Sequence, residues 1–188
     1  MANVTLSPKT PLDGLDLTEG GNTIRERTDL ALVSLAMPRG GEAALAGALQ
    51  AHWGLGLPTA VKSATAGELR LISMTADQMM LIGTGDGTVF HQEVAAKLGA
   101  LAYSTNQTDA WVCLEVRGPD TLPALERICP IDLAPDVFPV GAFARTTMEH
   151  LGALIIRLGA DHFQLCSASS SAGSFAEAII VSYENVIS

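Results

Sequence analysis

Charge is scarce in this sequence, and aromatic side chains are scarcer. Of its 188 residues 16% are Asp, Glu, Lys or Arg and 5% are Phe, Trp or Tyr. The charge present runs acidic, 20 carboxylates against 11 cations for a net −9, a surface that a phosphate backbone would repel. Nucleic-acid binding is disfavoured. No run of like charges suggests a disordered tail. No stretch approaches the roughly 18 uninterrupted apolar residues of a membrane-spanning helix. The opening MANVTLSPKTPLDG lacks the basic region and apolar core of a secretion signal. Two Asn-x-Ser/Thr matches, at Asn3 and Asn106, carry little weight without secretion. Cysteine is limited to Cys113, Cys129 and Cys166, an odd number without a CxxC pair, so no disulfide framework is specified. Each lies in an apolar run and reads as a small buried hydrophobe. Cys129 falls at a helix end, where the dipole raises a thiol pKa instead of lowering it. These features point to a reducing cytoplasm.

What is abundant is apolar side chain, 48% of the chain. A chain of this length can bury about 70% of the surface its unfolded form exposes, so a core is available without staples. So little charge on so small a surface also hints that another chain covers part of it.

The sequence repeats itself. DLALVSLAMPRGGEAALAGALQAHWGLGLP (29–58) resembles DAWVCLEVRGPDTLPALERICPIDLAP (109–135). Each reads as a strand, a Gly-containing turn at Arg39-Gly40 or Arg117-Gly118, an apolar helix and a Pro exit. Leu32, Ser34 and Ala36 align with Trp111, Cys113 and Glu115. A second pair, ELRLISMTADQMMLIG (68–83) and ALIIRLGADHFQLCS (153–167), reads as a β-hairpin twice, with Asp77 and Asp161 at matching turn positions. Helices follow from Gly87 and Ala172. The predicted fold is α+β: strand–helix–hairpin–helix units, duplicated, with largely antiparallel sheets and helices packed on one side. The boundaries are an N-terminal extension over 1–28, a first half over 29–108 and a second over 109–188, the halves sharing a core.

Chemistry has few places to hide. LIGTGDGTVF (81–90) is glycine-rich, but Gly83, Gly85 and Gly87 alternate, matching neither a dinucleotide fingerprint nor a P-loop. Asp86 would repel a phosphate, so the loop reads as a helix-capping connector. SASSSAGSF (167–175) is not a nucleophile elbow, and Ser171 or Ser174 is expected as a helix N-cap. His52, His91, His150 and His162 lack the short spacings of zinc ligands. Glu149–His150 is an adjacent pair able to tune a proton-transfer group, and reads more simply as a satisfied surface pair. The residues describe a scaffold.

One stretch carries a family likeness. WVCLEVRGPDTLPALERICPIDLAPDVFPVGAFARTTMEHLGALIIRL (111–158) resembles the gamma subunit of heterotetrameric sarcosine oxidase in its Arg-Gly-Pro-Asp turn, its Leu-Glu-Arg-Ile-Cys-Pro-Ile-Asp-Leu helix exit, and its Phe-Pro-Val-Gly then Ala-Arg-Thr segment. ADHFQLCSASSSAGSFAEAI (160–179) fits the family's closing hairpin and helix, whereas the first half fits less specifically. A more distant likeness is to the folate-binding fold of glycine-cleavage aminomethyltransferases. The resemblance implies a complex that oxidatively demethylates sarcosine to glycine, passes the one-carbon unit to tetrahydrofolate or releases formaldehyde, and makes hydrogen peroxide. It implies alpha, beta and delta subunits as partners, which carry FAD, FMN, NAD, zinc and tetrahydrofolate. The gamma chain holds no cofactor and no catalytic residue and acts in assembly. Candidate interface residues are Trp53, beside glycines at a helix exit, with Arg117 and Arg145, expected to bond neighbouring backbone or partner carboxylates. Trp111, mid-strand, reads as core. Two alternatives stand: a free-standing folate-binding protein of the same fold, weakened by a total of nine aromatics, and a small enzyme using Cys129 or the Glu149–His150 pair.

Overall fold

The computed structural model describes residues 9–187. Strands β1 (Asp16–Glu19) and β2 (Asn22–Glu26) form a hairpin, followed by β3 (Leu30–Ala36) and helix α1 (Glu42–Trp53). Next come β4 (Ala64–Ala66), β5 (Leu69–Ser73), β6 (Gln78–Thr84), α2 (Gly87–Leu98) and β7 (Tyr103–Asn106). The second half runs β8 (Trp111–Arg117), α3 (Thr121–Ile128), β9 (Phe143–Met148), β10 (Leu151–Gly159), β11 (His162–Ala168) and α4 (Ala172–Glu184). The α+β duplication read from the sequence is therefore present, with β4, β7 and β9 added as short strands at sheet edges.

Two antiparallel sheets result, ordered β1-β2-β8-β11-β10-β9 and β4-β5-β6-β3-β7. Their facing sides bury Leu30, Leu32, Ile72, Met80 and Ile82 against Cys113, Phe143, Leu154, Ile156 and Cys166. The outer side of each sheet is covered by its own helix pair. Val33, Leu35, Leu71 and Leu81 pack with Leu45, Leu49, Val94 and Leu98 in one half. Leu114, Val116, Phe163 and Leu165 pack with Leu125, Phe175 and Ile179 in the other. Strand residues are thus apolar on both faces, which is why β3 and β10 read as near-continuous hydrophobic runs instead of alternating. The order of layers is helix, sheet, sheet, helix.

Turn and cap chemistry closes these elements as the residue types demand. Asp86 caps α2, its carboxylate accepting from Thr88 N and Val89 N at 2.9 Å each. Gly54 ends α1 in the left-handed conformation, φ 67. α3 stops at Ile128 because Cys129, preceding Pro130, is driven to an extended backbone.

Hydrogen bonding shows that the halves are pseudo-equivalent and interlocked. Cys113 lies opposite Cys166 as Leu32 lies opposite Ile82, and both pairs face the central layer. The structural partner of Leu32 is therefore Cys113, two residues on from the alignment read in the sequence, with the face of the strand preserved. The strand that leads into each half pairs with the first strand of the other half. β2 precedes β3 in the chain yet pairs with β8, and β7 precedes β8 yet pairs with β3. The crossings repeat one bond, Arg27 N to Cys113 O and Gln107 N to Leu32 O, both 2.8 Å. At the opposite side an isolated antiparallel bridge, Lys62 with Ala142, ties the two sheets together.

This changes the status of residues 1–28. Their described part is no extension: the hairpin extends the second half's sheet through β2 on β8. Asn22, 3% exposed, fixes it there by donating to Asp120 Oδ2 at 2.8 Å and accepting from Asp120 N at 3.0 Å. The Gly-Pro-Asp turn between β8 and α3 is thus the hairpin's docking point. Gly118, φ 138, has no room for a side chain, since a Cβ there would meet Asn22 Oδ1 at 2.5 Å.

Candidate functional site

The places the sequence marked for chemistry resolve into structural roles. Gly83 and Gly87 are small because an added Cβ would strike Phe90 at 2.8 Å and Thr108 at 2.2 Å. With Asp86 already taking the amides at the start of α2, the loop is a packed, capped connector. Ser171 stands at the N-cap position of α4 but makes no side-chain cap; its hydroxyl donates to Ala168 O at 3.0 Å, and a short 3-10 turn leads into the helix instead. Ser174 is exposed on the first turn. Asp77 and Asp161 do occupy matching turns, their carbonyls accepting from Met37 N at 2.8 Å and Gly118 N at 3.1 Å. Asn106 is exposed, with its side chain accepting from Thr108 N, and Asn3 lies outside the described residues.

All three cysteines are buried and free. Cys113 is pushed up in pKa by its hydrogen bond with Cys166 and by burial, which keeps it a thiol. Burial likewise raises Cys129. The four histidines are dispersed: His91 Nε2 is 3.2 Å from Ser104 O, and His52 meets the Trp53 ring edge-on at 5.7 Å. Glu149 and His150 form the exposed turn between β9 and β10. Among the described residues, no three of His, Cys, Asp and Glu gather as a metal set.

Two arginines that the sequence did not single out organise the polar interior. Arg157 on β10 is 2% exposed and has no carboxylate beside it. Its guanidinium donates to four backbone carbonyls, Leu133 O at 2.8 Å, Phe138 O and Gly159 O at 3.0 Å, and Ala160 O, and it lies over the Phe163 ring. A buried cation is tolerated when its donors are satisfied, and the bonds to Leu133 O and Phe138 O tie the irregular segment between α3 and β9 to β10. Arg27, at the crossing after β2, pairs with Asp29 and Glu115. The Asp29 bond leads in holding the guanidinium protonated, and the guanidinium in turn holds the Asp29 carboxyl below its usual range. His162 Nε2 is 3.3 Å from Glu115 Oε1, within ion-pair distance but off the hydrogen-bond angle.

This crossing borders a crevice of about 810 Å3 lined by Glu26, Arg27, Leu30, Thr108, Asp109 and Trp111 among others. Glu26 is already spent there: its carboxylate accepts from Thr10 Oγ1 and Gly14 N at 2.8 Å and from Leu12 N at 3.2 Å. Trp111, read from the sequence as core, is half-buried, packing against the central layer on one side and lining this crevice on the other.

The candidate interface residues are not brought together. Trp53 closes α1, half-buried, with Lys97 Nζ 4.9 Å from its ring centroid. Arg145 on β9 donates to Met74 O at 3.0 Å, across from one half to the other. Arg117 is exposed at the end of β8, opposite Thr23 and His162, and among the described residues no side-chain hydrogen bond holds it. The signal that would have found Arg157 is a lone basic residue inside the apolar run ALIIRLG, a position where only a satisfied cation survives.

Two helix-covered antiparallel sheets, duplicated and interlocked, define a fold class shared with the aminomethyltransferases. The glycine cleavage system aminomethyltransferase T from Bartonella henselae superposes with a TM-score of 0.61 at 13% identity, over 92% of this chain and 57% of that one. A chain of the heterotetrameric sarcosine oxidase from Corynebacterium sp. U-96, solved in complex with pyrrole 2-carboxylate, superposes with a TM-score of 0.82 at 20% identity over 96% of this chain and 97% of that one. Residues 39–181 match the model of the sarcosine oxidase, gamma subunit family. The chain belongs to that family. A search of curated proteins gave no match. No helix among the described residues is long and apolar enough to cross a membrane.

Proposed function

We propose that the chain is the non-catalytic gamma subunit of a heterotetrameric sarcosine oxidase, working in the cytoplasm with alpha, beta and delta subunits. FAD, FMN, NAD, zinc and tetrahydrofolate are then held by those partners. The observation that carries this reading is the family match over 39–181. The geometry supports it. Arg157, Arg27 and Glu26 are each satisfied by this chain's own backbone or side chains, which gives them a part in holding the fold. The exposed guanidinium of Arg117 remains available to a partner carboxylate; Trp53 and Arg145 serve their own fold first.

A free-standing folate-binding role fits the residues poorly. A pterin would need a carboxylate to hold and aromatic walls to lie between. The crevice at the crossing has its Glu26 already occupied and its other carboxylate, Asp109, exposed, and Trp111 is the one aromatic ring among the described residues that line it. The deciding experiment is recovery of the tagged chain from its own cells grown on sarcosine. Co-purification of two large chains and one small one, with a flavin absorbance spectrum, is expected. A colourless eluate holding the bait alone would overturn the subunit reading.

A further inference from the structure

The two halves differ at one equivalent place on their outer surface. In the first half Trp53 packs against the outer core, and Lys97 lies over its ring. The angle between the end of α1 and helix α2 is thereby filled by an indole under a cation. In the second half the corresponding helices are α3 and α4, and the β9–β10 hairpin runs two residue pairs further than β4–β5, pairing Leu151 with Met148 before it turns beside them. Ile128 ends α3 as Trp53 ends α1, and Ser182 stands on α4 where Lys97 stands on α2. Ser182 points away, donating to Ala124 O at 2.6 Å. What remains is a groove of about 530 Å3, floored by Ile128, Leu151 and Val181 and rimmed by Arg127, Glu149 and Glu177. Val181 is 45% exposed in it. Glu149 holds the turn at φ 52, where the first half uses Gly67 at φ 58, so a charged side chain is kept on the rim at a position that suits glycine.

We propose that this groove receives an aromatic side chain of a partner subunit, with a basic residue beside it, in the assembly proposed above and resting on that reading. The first half shows the fit from within the same chain: an indole seated between the end of α1 and α2, with a cation on its face. Arg127 supplies the cation here, and Glu149 and Glu177 complement a basic neighbour on the incoming segment. A preformed pocket for one aromatic ring is the usual form of an interface anchor. A second copy of this chain is the poorer occupant, since each copy carries a net charge of −9 and the two repel.

The test is co-expression of the tagged chain with its partner subunits. Ile128→Trp regrows the plug inside the groove, and Val181→Glu places a carboxylate on its exposed floor. Val89→Glu, at a side chain 62% exposed on α2 in the other half, is the control. All three should keep wild-type circular dichroism and Tm. Partner recovery should fall by about tenfold or more for the two groove variants and stay unchanged for the control. Undiminished recovery by both groove variants overturns the proposal. So does an isolated chain that is dimeric by light scattering and made monomeric by Val181→Glu, which would assign the groove to a second copy. Saturable tetrahydrofolate binding abolished by Val181→Glu would assign the groove to a small molecule and overturn the proposal equally. A wild-type chain that recovers no partner fails the subunit reading itself and takes this proposal with it; a wild type that assembles, with variants that assemble equally, fails the groove alone.

Discussion

One backbone plan is used twice, and the two halves spend it differently. The first is closed by apolar and aromatic contacts. Leu98 ends the buried stripe of α2, Ser73 occupies β5, and Trp53 fills the angle between α1 and α2. At the equivalent places the second half has Tyr183, Arg157 and Ile128. It buries a phenol where its twin buries a leucine and a guanidinium where its twin has a half-buried serine, and leaves a groove where its twin has a ring. A hydrophobic position tolerates many substitutes, whereas a buried polar group needs each partner in place. The second half should therefore be the more tightly specified of the two. Its residues are also the ones that carried the family likeness in the sequence.

The largest effect should come from separating the halves. Because β1 and β2 belong to β8's sheet, a cut after residue 108 takes both strands from that sheet and uncovers the central apolar layer between the two sheets. Residues 1–108 and 109–188 expressed singly should not fold, while co-expression should return a soluble complex with native-like hydrogen exchange. A stable, monomeric 1–108 fragment would break the interlocked picture.

Next in size is the contrast between Arg157 and Ser73, which hold equivalent places beside the hairpin turns. Arg157→Met strands four carbonyls, two of them in the segment between α3 and β9, and should cost about 3–5 kcal/mol in denaturant unfolding. Ser73→Ala loses a hydroxyl bond to Thr75 O at an exposed site and should stay within about 1 kcal/mol. Equal effects would mean that Arg157 is not what fixes that segment.

These contrasts mark what was legible in the sequence. The duplication, the hairpins, the Cys129–Pro130 helix stop and the Asp86 cap rest on local chemistry, and local chemistry is what spacing and residue type encode. The strand exchange is not local. Nothing in DLTEGGNTIRE says that it will pair with residues about 90 positions away in preference to its neighbour, since either pairing satisfies its backbone. The four acceptors of Arg157 are carbonyls of an irregular segment and a turn, invisible in side-chain types. The groove likewise arises from a difference between copies, Trp53 against Ile128, that only superposed backbones make meaningful.

A smaller effect belongs to the hairpin's dock, which the first half lacks. Asn22→Ala removes both bonds to Asp120 and should cost about 1–3 kcal/mol. Because the Asp120 backbone N–H would be left without its acceptor, hydrogen exchange should quicken at β1, β2 and the β8–α3 turn before it quickens elsewhere. Uniform acceleration across both sheets would show that the hairpin opens only with the whole protein.

The smallest contrast sets Tyr183 against Leu98. Tyr183 is 3% exposed and donates to Thr121 Oγ1 at 2.7 Å, and burial first of all pushes its pKa up to about 12. At neutral pH, Tyr183→Phe should cost about 1 kcal/mol, the worth of one buried hydrogen bond. The balance shifts in alkali. The unfolded chain releases the phenol proton near pH 10, as a free tyrosine does, while the folded state keeps it until about pH 12. Between those values the unfolded state binds fewer protons, so raising the pH favours unfolding by about 1.4 kcal/mol per pH unit. The wild type carries that loss and the phenylalanine variant does not, so their stabilities should converge near pH 11 and cross above it. Parallel curves over this range would mean that Tyr183 ionises in the folded state as readily as in the unfolded one, and that the polar packing of the second half is looser there than its bond lengths indicate.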